Sequence, residues 1–254
     1  VDGQVFTHGS IAAEGETLTA HSVVWPLLFA SANQEHGADT LAKHIGKEKR
    51  PSDQAAPKAN YPWSTAGGIT LCSMQNSNIP SWQRILGLIE KASVLANTQL
   101  GSSIPEYLKS QTSSDASWAL GYSLKASGCL PDGVRVNDAM DLFFQVNSLQ
   151  MSIQNAAIYA ASLGNDGVCV TAQNKKIPST KAAVSMMSLC GLCSDLPNKI
   201  PSIGASSGLC ILTIPKVLGM AIYSPQIVAH SSGELNSSIG AEFIRHFSSK
   251  YKFK

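Results

Sequence analysis

Ser22 is the residue of this chain best placed for nucleophilic chemistry. It ends the polar approach Thr19-Ala20-His21 and directly precedes the apolar run Val23 to Ala30, so it reads as a residue at or just before a helix N-terminus, with Pro26 in the opening turn. A serine hydroxyl attacks a carbonyl carbon only if a base takes its proton. On a helix that base can be a lysine one turn on, because residues three apart share a face. Here the position holds Trp25, whose indole cannot serve as a base and which reads as an aromatic filling the space as core. His21 is no substitute: neighbours on a helix do not face each other, and it reads as exposed. Another serine with a lysine three residues on, Ser249 with Lys252, lies in the basic tail, and a chain terminus is not a preorganised site.

Other chemistries find little support. The six cysteines are irregularly spaced in apolar surroundings and read as buried free thiols of a reducing compartment. Cys190-Gly-Leu-Cys193 has no second pair or nearby histidine to complete a zinc site, so no metal or other cofactor is expected. Asp138 and Asp141 are read on the solvent side of an aromatic-faced helix, and Glu35, His36 and His44 on an exposed helical surface. No glycine-rich phosphate loop precedes a helix.

The chain has 254 residues, 44% hydrophobic and 14% charged, which is enough apolar material for a sizeable core and too little charge for disorder. A formal net charge of +2 with scattered basic residues excludes a nucleic-acid footprint, and Pro215 and Lys216 interrupt the longest apolar stretch, so no membrane span is expected. The chain opens on Val1 rather than Met, as a processed or partial N-terminus would.

The elements that must position Ser22 follow from periodicity and turn chemistry. Asp2-Gly3 predicts a hairpin turn with a returning strand over Gln4 to Gly9. Helices are expected from Ser22 to about Asn33 and from Ala38 to Ile45. A loop over Lys49 to Pro62 leads into Trp63 to Ile69, whose small residues let the backbone pass close to a helix or ligand. Further helices are expected from Ser81, from Ser114-Asp115 to Ser127-Gly128, from Asn137, over Ile153 to Leu163, from Ser179 to Leu189 and over Leu235 to Phe247. Leu209 to Ile214 and Val217 to Tyr223 read as two buried strands joined at Pro215-Lys216. Strands at both ends around a helical middle describe an α+β domain with its sheet built from the two termini.

The order of segments carries a resemblance. His21-Ser22 with Pro26, Ile45-Gly46-Lys47-Glu48, Thr65-Ala66-Gly67-Gly68-Ile69, Ala119 to Tyr122 through Leu130 to Gly133, Asp141 to Gln145, Ala160 to Cys169, and Gly219-Met220 with Ser224-Pro225 are collinear with stretches of the serine-dependent glutaminases. The chain resembles that family, relatives of the β-lactamase and penicillin-binding fold, over essentially its whole length. The resemblance implies one glutaminase-like domain over 1–254, with a sheet lobe at about 1–20 and 205–254, a helical lobe at about 35–200, and a family strand upstream of Val1 that this chain lacks. It also implies attack by serine on the glutamine side-chain amide with lysine as base, and substrate anchoring by Asn, Glu and Tyr side chains. Carried over, the nucleophile falls on Ser22 and the lysine on Trp25. The binding positions fall on Thr65, Ser117 and Ser110 for Asn, Asn and Glu, and on Phe143 and Cys193 for the two tyrosines. All are substituted, so the chain reads as a catalytically inactive glutaminase-like protein, a structural or accessory subunit of a larger assembly. Its protein partners would contact the N-terminal strand edge and the C-terminal helix, in an intracellular setting such as the mitochondrion. The alternative is a divergent serine hydrolase or glutaminase, converting L-glutamine to L-glutamate and ammonia, that still uses Ser22.

Overall fold

A short strand pairing fixes the segment that carries Ser22. In the computed structural model, which describes residues 2–9, 16–47, 61–76, 78–172, 176–225 and 239–250, β1 (Thr17–Thr19) runs antiparallel to β3 (Leu149–Ser152), with β2 (Gly101–Ser102) on the other side of β3. The N–H of Ala20 extends that ladder to the Leu149 carbonyl at 2.7 Å. A 3₁₀ turn, His21–Val24, then opens directly into helix α1 (Trp25–His36), with Pro26 in its first turn where no N–H is needed.

Helices α2 (Ala38–His44), α3 (Thr65–Ser73), α4 (Ser81–Ala96), α5 (Ile104–Ser113), α6 (Asp115–Ala126), α7 (Val136–Asn147), α8 (Ile153–Gly164) and α9 (Thr180–Cys190) make up the middle of the chain. Serine caps start several of them: Ser64 accepts from Gly67 N–H, Ser103 from Glu106 N–H and Ser152 from Asn155 N–H. α4 buries Ile85, Leu88, Ala92, Leu95 and Ala96, the stripe its spacing implies. The second sheet has the order β4 (Ser202–Gly204), β5 (Leu209–Ile214), β6 (Leu218–Tyr223), all antiparallel, and helix α10 (Ile239–Lys250) follows. α8 packs on one face of this sheet, while the side chains of Leu218, Met220 and Ile222 join Ala241 and Ile244 of α10 on the other. The fold class is therefore α+β, as expected.

Three expectations need correction. Residues 4–9 form no strand: the Asp2-Gly3 turn exists, with Gly3 at φ +88° and Gln4 N–H on the Asp2 carboxylate at 3.1 Å, but residues 2–9 are all exposed and find no strand partner. Among the described residues the second sheet is not assembled from both termini: its three strands come from residues 202–223, and the N-terminal strand β1 pairs with β3 from the middle of the chain. Of the two strands read as buried, β5 is buried throughout, while β6 is half-buried along its whole length. The expected loop after Lys49, the first residues of the last helix and the end of the basic tail lie outside the described residues.

Two glycines test this packing. A Cβ on Gly219 of β6 would strike the backbone of Ala161 in α8, whereas one on Gly87 of α4 meets open space. Urea denaturation should show Gly219→Ala destabilised by about 2–3 kcal/mol or more through overpacking. Gly87→Ala should gain roughly 0.5–1 kcal/mol from helix propensity. Equal responses would contradict the close approach of α8 to the sheet.

Candidate active site

Ser22 is buried, and its hydroxyl donates to the carbonyl of Gly204 in β4 at 2.8 Å. A serine poised for attack on the family's pattern needs a titratable group within about 3.2 Å of its hydroxyl. The partner here is a backbone carbonyl, which can hold the proton's direction but cannot remove it. The neighbouring His21 is in the left-handed region at φ 43° and is half-buried, not exposed as the sequence suggested. Burial holds its pKa below the ordinary histidine value, with Glu106 of α5 opposing that shift and Lys109 adding to it.

Trp25, where a base would stand, is 4% exposed. Its indole N–H donates to the side-chain carbonyl of Asn147 at 2.8 Å, and its ring lies 5.9 Å from that of Phe143, one turn earlier on α7. A Cβ added to Gly68 of α3 would fall 2.8 Å from the indole and 3.0 Å from the Phe143 ring, so the glycine makes the room that both aromatics use. The aromatic contacts continue from Phe143 to Phe144 at 5.6 Å, then to Trp118 at 5.6 Å, and on to Tyr122 at 6.4 Å.

The expected site residues are only partly gathered. Trp25 and Phe143 touch, and half-buried Thr65 sits one turn before Gly68 on α3. Ser117 precedes Trp118 on α6 and Ser110 is on α5, both half-buried. Cys193 is elsewhere: fully buried, it belongs to the cluster of Leu212, Ala241 and Ile244 under α10, where burial raises its thiol pKa. Cys190 likewise is buried, and all six cysteines are free thiols. Among the described residues no group of acidic, histidine and cysteine side chains could hold a metal.

Sequence reasoning did not find Asn147, Gly204 or the polar cluster beside α7. Asn147 is a polar residue on the buried side of an amphipathic helix, and that is the signal it offered. Asp141 is half-buried, not on the solvent side as read. It accepts from the Tyr107 hydroxyl at 2.6 Å and from Gln145 at 2.7 Å, and burial, reinforced by that carboxylate, pushes the Tyr107 pKa up to about 12. Half-buried Asp138 pairs with Arg135 at 2.8 Å. His44 is half-buried rather than exposed and donates through Nδ1 to the Cys129 carbonyl at 2.8 Å, while exposed His36 bonds Met74 at 2.6 Å.

The cleft's filling is testable as packing. Trp25→Ala should cost about 3–5 kcal/mol, and Asn147→Ala about 1–3 kcal/mol by stranding the indole N–H. His21 adds a pH dependence of known sign. Its folded pKa lies below its unfolded value, so the unfolded state binds the proton first and stability falls as pH drops through the ordinary histidine range. His21→Asn, which tolerates the left-handed backbone, should flatten that part of the stability curve; an unchanged slope would remove His21 as its source.

Comparisons with known proteins bear on the family and the fold. The chain is 27% identical over 270 residues to the mitochondrial liver isoform of glutaminase from Mus musculus, covering 100% of this chain and 43% of that protein. It is 26% identical over 271 residues to a glutaminase of Clostridium tetani, covering 94% of this chain and 86% of that one. The chain thus spans less than half the length of the mammalian relative. Among solved structures, Mglu superposes with a TM-score of 0.82 at 18% identity over 94% of this chain and 64% of its own, and Mglu in its glutamate form with 0.80 at 18% identity over 91% and 55%. These neighbours have the β-lactamase-like fold that the present chain shares. The glutaminase family profile matches residues 1–254, and the chain belongs to the glutaminase family.

Proposed function

We propose that this chain keeps the glutaminase scaffold without glutaminase chemistry and serves as a structural or accessory subunit of a larger assembly. The observation that carries the reading is Trp25: where the resemblance expects a lysine base, an indole is sealed between Gly68 and Phe143 and tied to Asn147. The nearby serine hydroxyl donates a hydrogen bond to a backbone carbonyl, which cannot act as its base. Thr65, Ser110, Ser117, Phe143 and Cys193 replace the amide, carboxylate and phenol groups expected to hold the substrate's amino and carboxylate ends. A free amino acid is recognised by such groups, and a site built for them discriminates steeply when they are absent. Its likeness to mitochondrial glutaminases of Mus musculus and Rattus norvegicus supports a mitochondrial setting.

The test is ammonia release from glutamine by the purified protein, with Ser22→Ala as control. No release above that control is expected. Trp25→Lys alone should restore none, since a base accelerates nothing where no substrate is held. Serine-dependent turnover by the unaltered protein would overturn the proposal, and turnover by the lysine variant would show that a working pocket survives.

A further inference from the structure

Basic residues that are scattered along the sequence are gathered by the fold at one end of the second sheet. Lys216 stands in the β5–β6 turn and Lys181 in the first turn of α9, and both reach the Asp166 carboxylate just past α8, at 2.7 and 3.6 Å. Lys176 lies against the same loop, bridged to Val168 while Ile177 N–H bonds the Gly167 carbonyl. Lys199 precedes β4 at this end too, because the Pro201 carbonyl accepts from Thr213 N–H, two residues before Pro215-Lys216. Lys250 closes α10 next to it, where Asn198 bonds the Ser248 carbonyl. All five lysines are exposed.

Little opposes them. The carboxylates at this end among the described residues are Asp166, already shared by two of the lysines, and Asp2, which lines a pocket with Val217. Asp195 is taken up by Arg245, and Glu242 stands more than two turns back along α10 from Lys250. Charge is fixed by sequence: Lys175, Lys252 and Lys254, which adjoin this set in the sequence and lie outside the described residues, have the same sign. The whole chain has a formal net charge of only +2, so its charge is concentrated at this end.

We propose that this end of the molecule adsorbs to the surface of a bilayer containing anionic phospholipid. Two observations select a lipid surface over a nucleic acid. All five side chains are lysines, compact point charges; the arginine fork suits recognition of individual phosphates, whereas attraction to a diffuse layer of headgroups needs only charge, and about four to eight basic residues suffice. In the sequence Lys250 leads into Tyr251-Lys252-Phe253-Lys254, and rings alternating with lysines are the composition that seats at a headgroup layer. The adsorption is independent of whether Ser22 is catalytic.

Sedimentation with vesicles tests the proposal. The purified chain should bind vesicles that contain phosphatidylglycerol, ignore those of phosphatidylcholine alone, and leave the former as salt is raised. Lys176→Gln with Lys199→Gln should weaken binding roughly 25-fold, about fivefold for each charge removed at the surface. Lys43→Gln with Lys125→Gln, the same loss of charge on α2 and α6, should weaken it less than about twofold. If a variant misfolds, lysine acetylation of the unaltered protein decides: anionic vesicles should shield the five gathered lysines and leave Lys43 and Lys125 reactive. No binding, equal binding to both kinds of vesicle, equal loss in the two variants or shielding elsewhere overturns the proposal. So does release from the vesicles by duplex DNA at matched phosphate, which would mark a nucleic-acid surface. Release by inorganic phosphate at an ionic strength where chloride releases nothing overturns it too, as the mark of an ion site.

Discussion

Everything near Ser22 depends on how one indole is buried. Trp25 has a flat ring needing a flat space and a single N–H needing a single acceptor, and two helices packed on its own meet those needs. Gly68 of α3 supplies the space, Phe143 of α7 the facing ring and Asn147 the acceptor. An aromatic side chain buries about 150–250 Å², so the contact contributes up to about 4–6 kcal/mol by area. That is comparable with the whole stability of many domains. The approach of α1, α3 and α7 is thus set by the same residue that occupies the base position.

A cation in that place would face the opposite balance. A lysine ammonium among Gly68, Phe143 and the aromatic chain behind them would be desolvated, and its charged form disfavoured. Enzymes tolerate such cost because the shifted base does chemistry. With an indole the cost becomes packing energy, which makes Trp25→Lys a change of structure as well as of chemistry. Ser22 also has a role that needs no reaction. Its hydroxyl crosses from the 3₁₀ turn to Gly204, tying the β1–β3 side of the molecule to the second sheet. Its presence is therefore no argument for catalysis by itself, since a scaffold keeps residues for packing as readily as for function.

Most of the helices were legible because each buries a continuous stripe, as α4 and α7 do, and the β5–β6 hairpin was legible from two apolar runs around Pro215-Lys216. What was hidden lacks that signal. α5 has no buried residue at all, and β1, β2 and β4 have two or three residues each, too short for an alternation to register. Asp2-Gly3 misled because turn chemistry is local: the turn formed, but a strand also needs a partner, and residues 4–9 have none. In the site, Trp25 as core was readable from its own chemistry, whereas its contact with Asn147 joins residues 122 positions apart and depends on the tertiary fold. The half-buried state of His21 was missed because a left-handed backbone at φ 43° breaks the helical geometry from which exposure was inferred.

The last helix shows how polar clamps and an apolar stripe together orient an element on the sheet. α10 faces the sheet with Gly240, Ala241, Ile244 and Ser248, and polar clamps hold it: Arg245 donates to the Leu192 carbonyl at 2.8 Å and bidentately to Asp195 at 2.8 and 2.7 Å, while Asn198 bonds the Ser248 carbonyl at 2.8 Å. The fork geometry fixes direction as well as distance. Ile239 and Phe243 project away from the sheet and contribute nothing to this anchoring, so the helix has its orientation whether or not they are covered. A surface already ordered in this way loses little further entropy on association, and its apolar area counts more fully toward binding. Strand β6 is held by the fold in the same way, through an unbroken ladder to β5 and through Gly219 pressed on α8. Helix and strand are thus each fixed by the fold itself, the one by its clamps to Asp195, Leu192 and Asn198, the other by its ladder to β5 and its contact with α8.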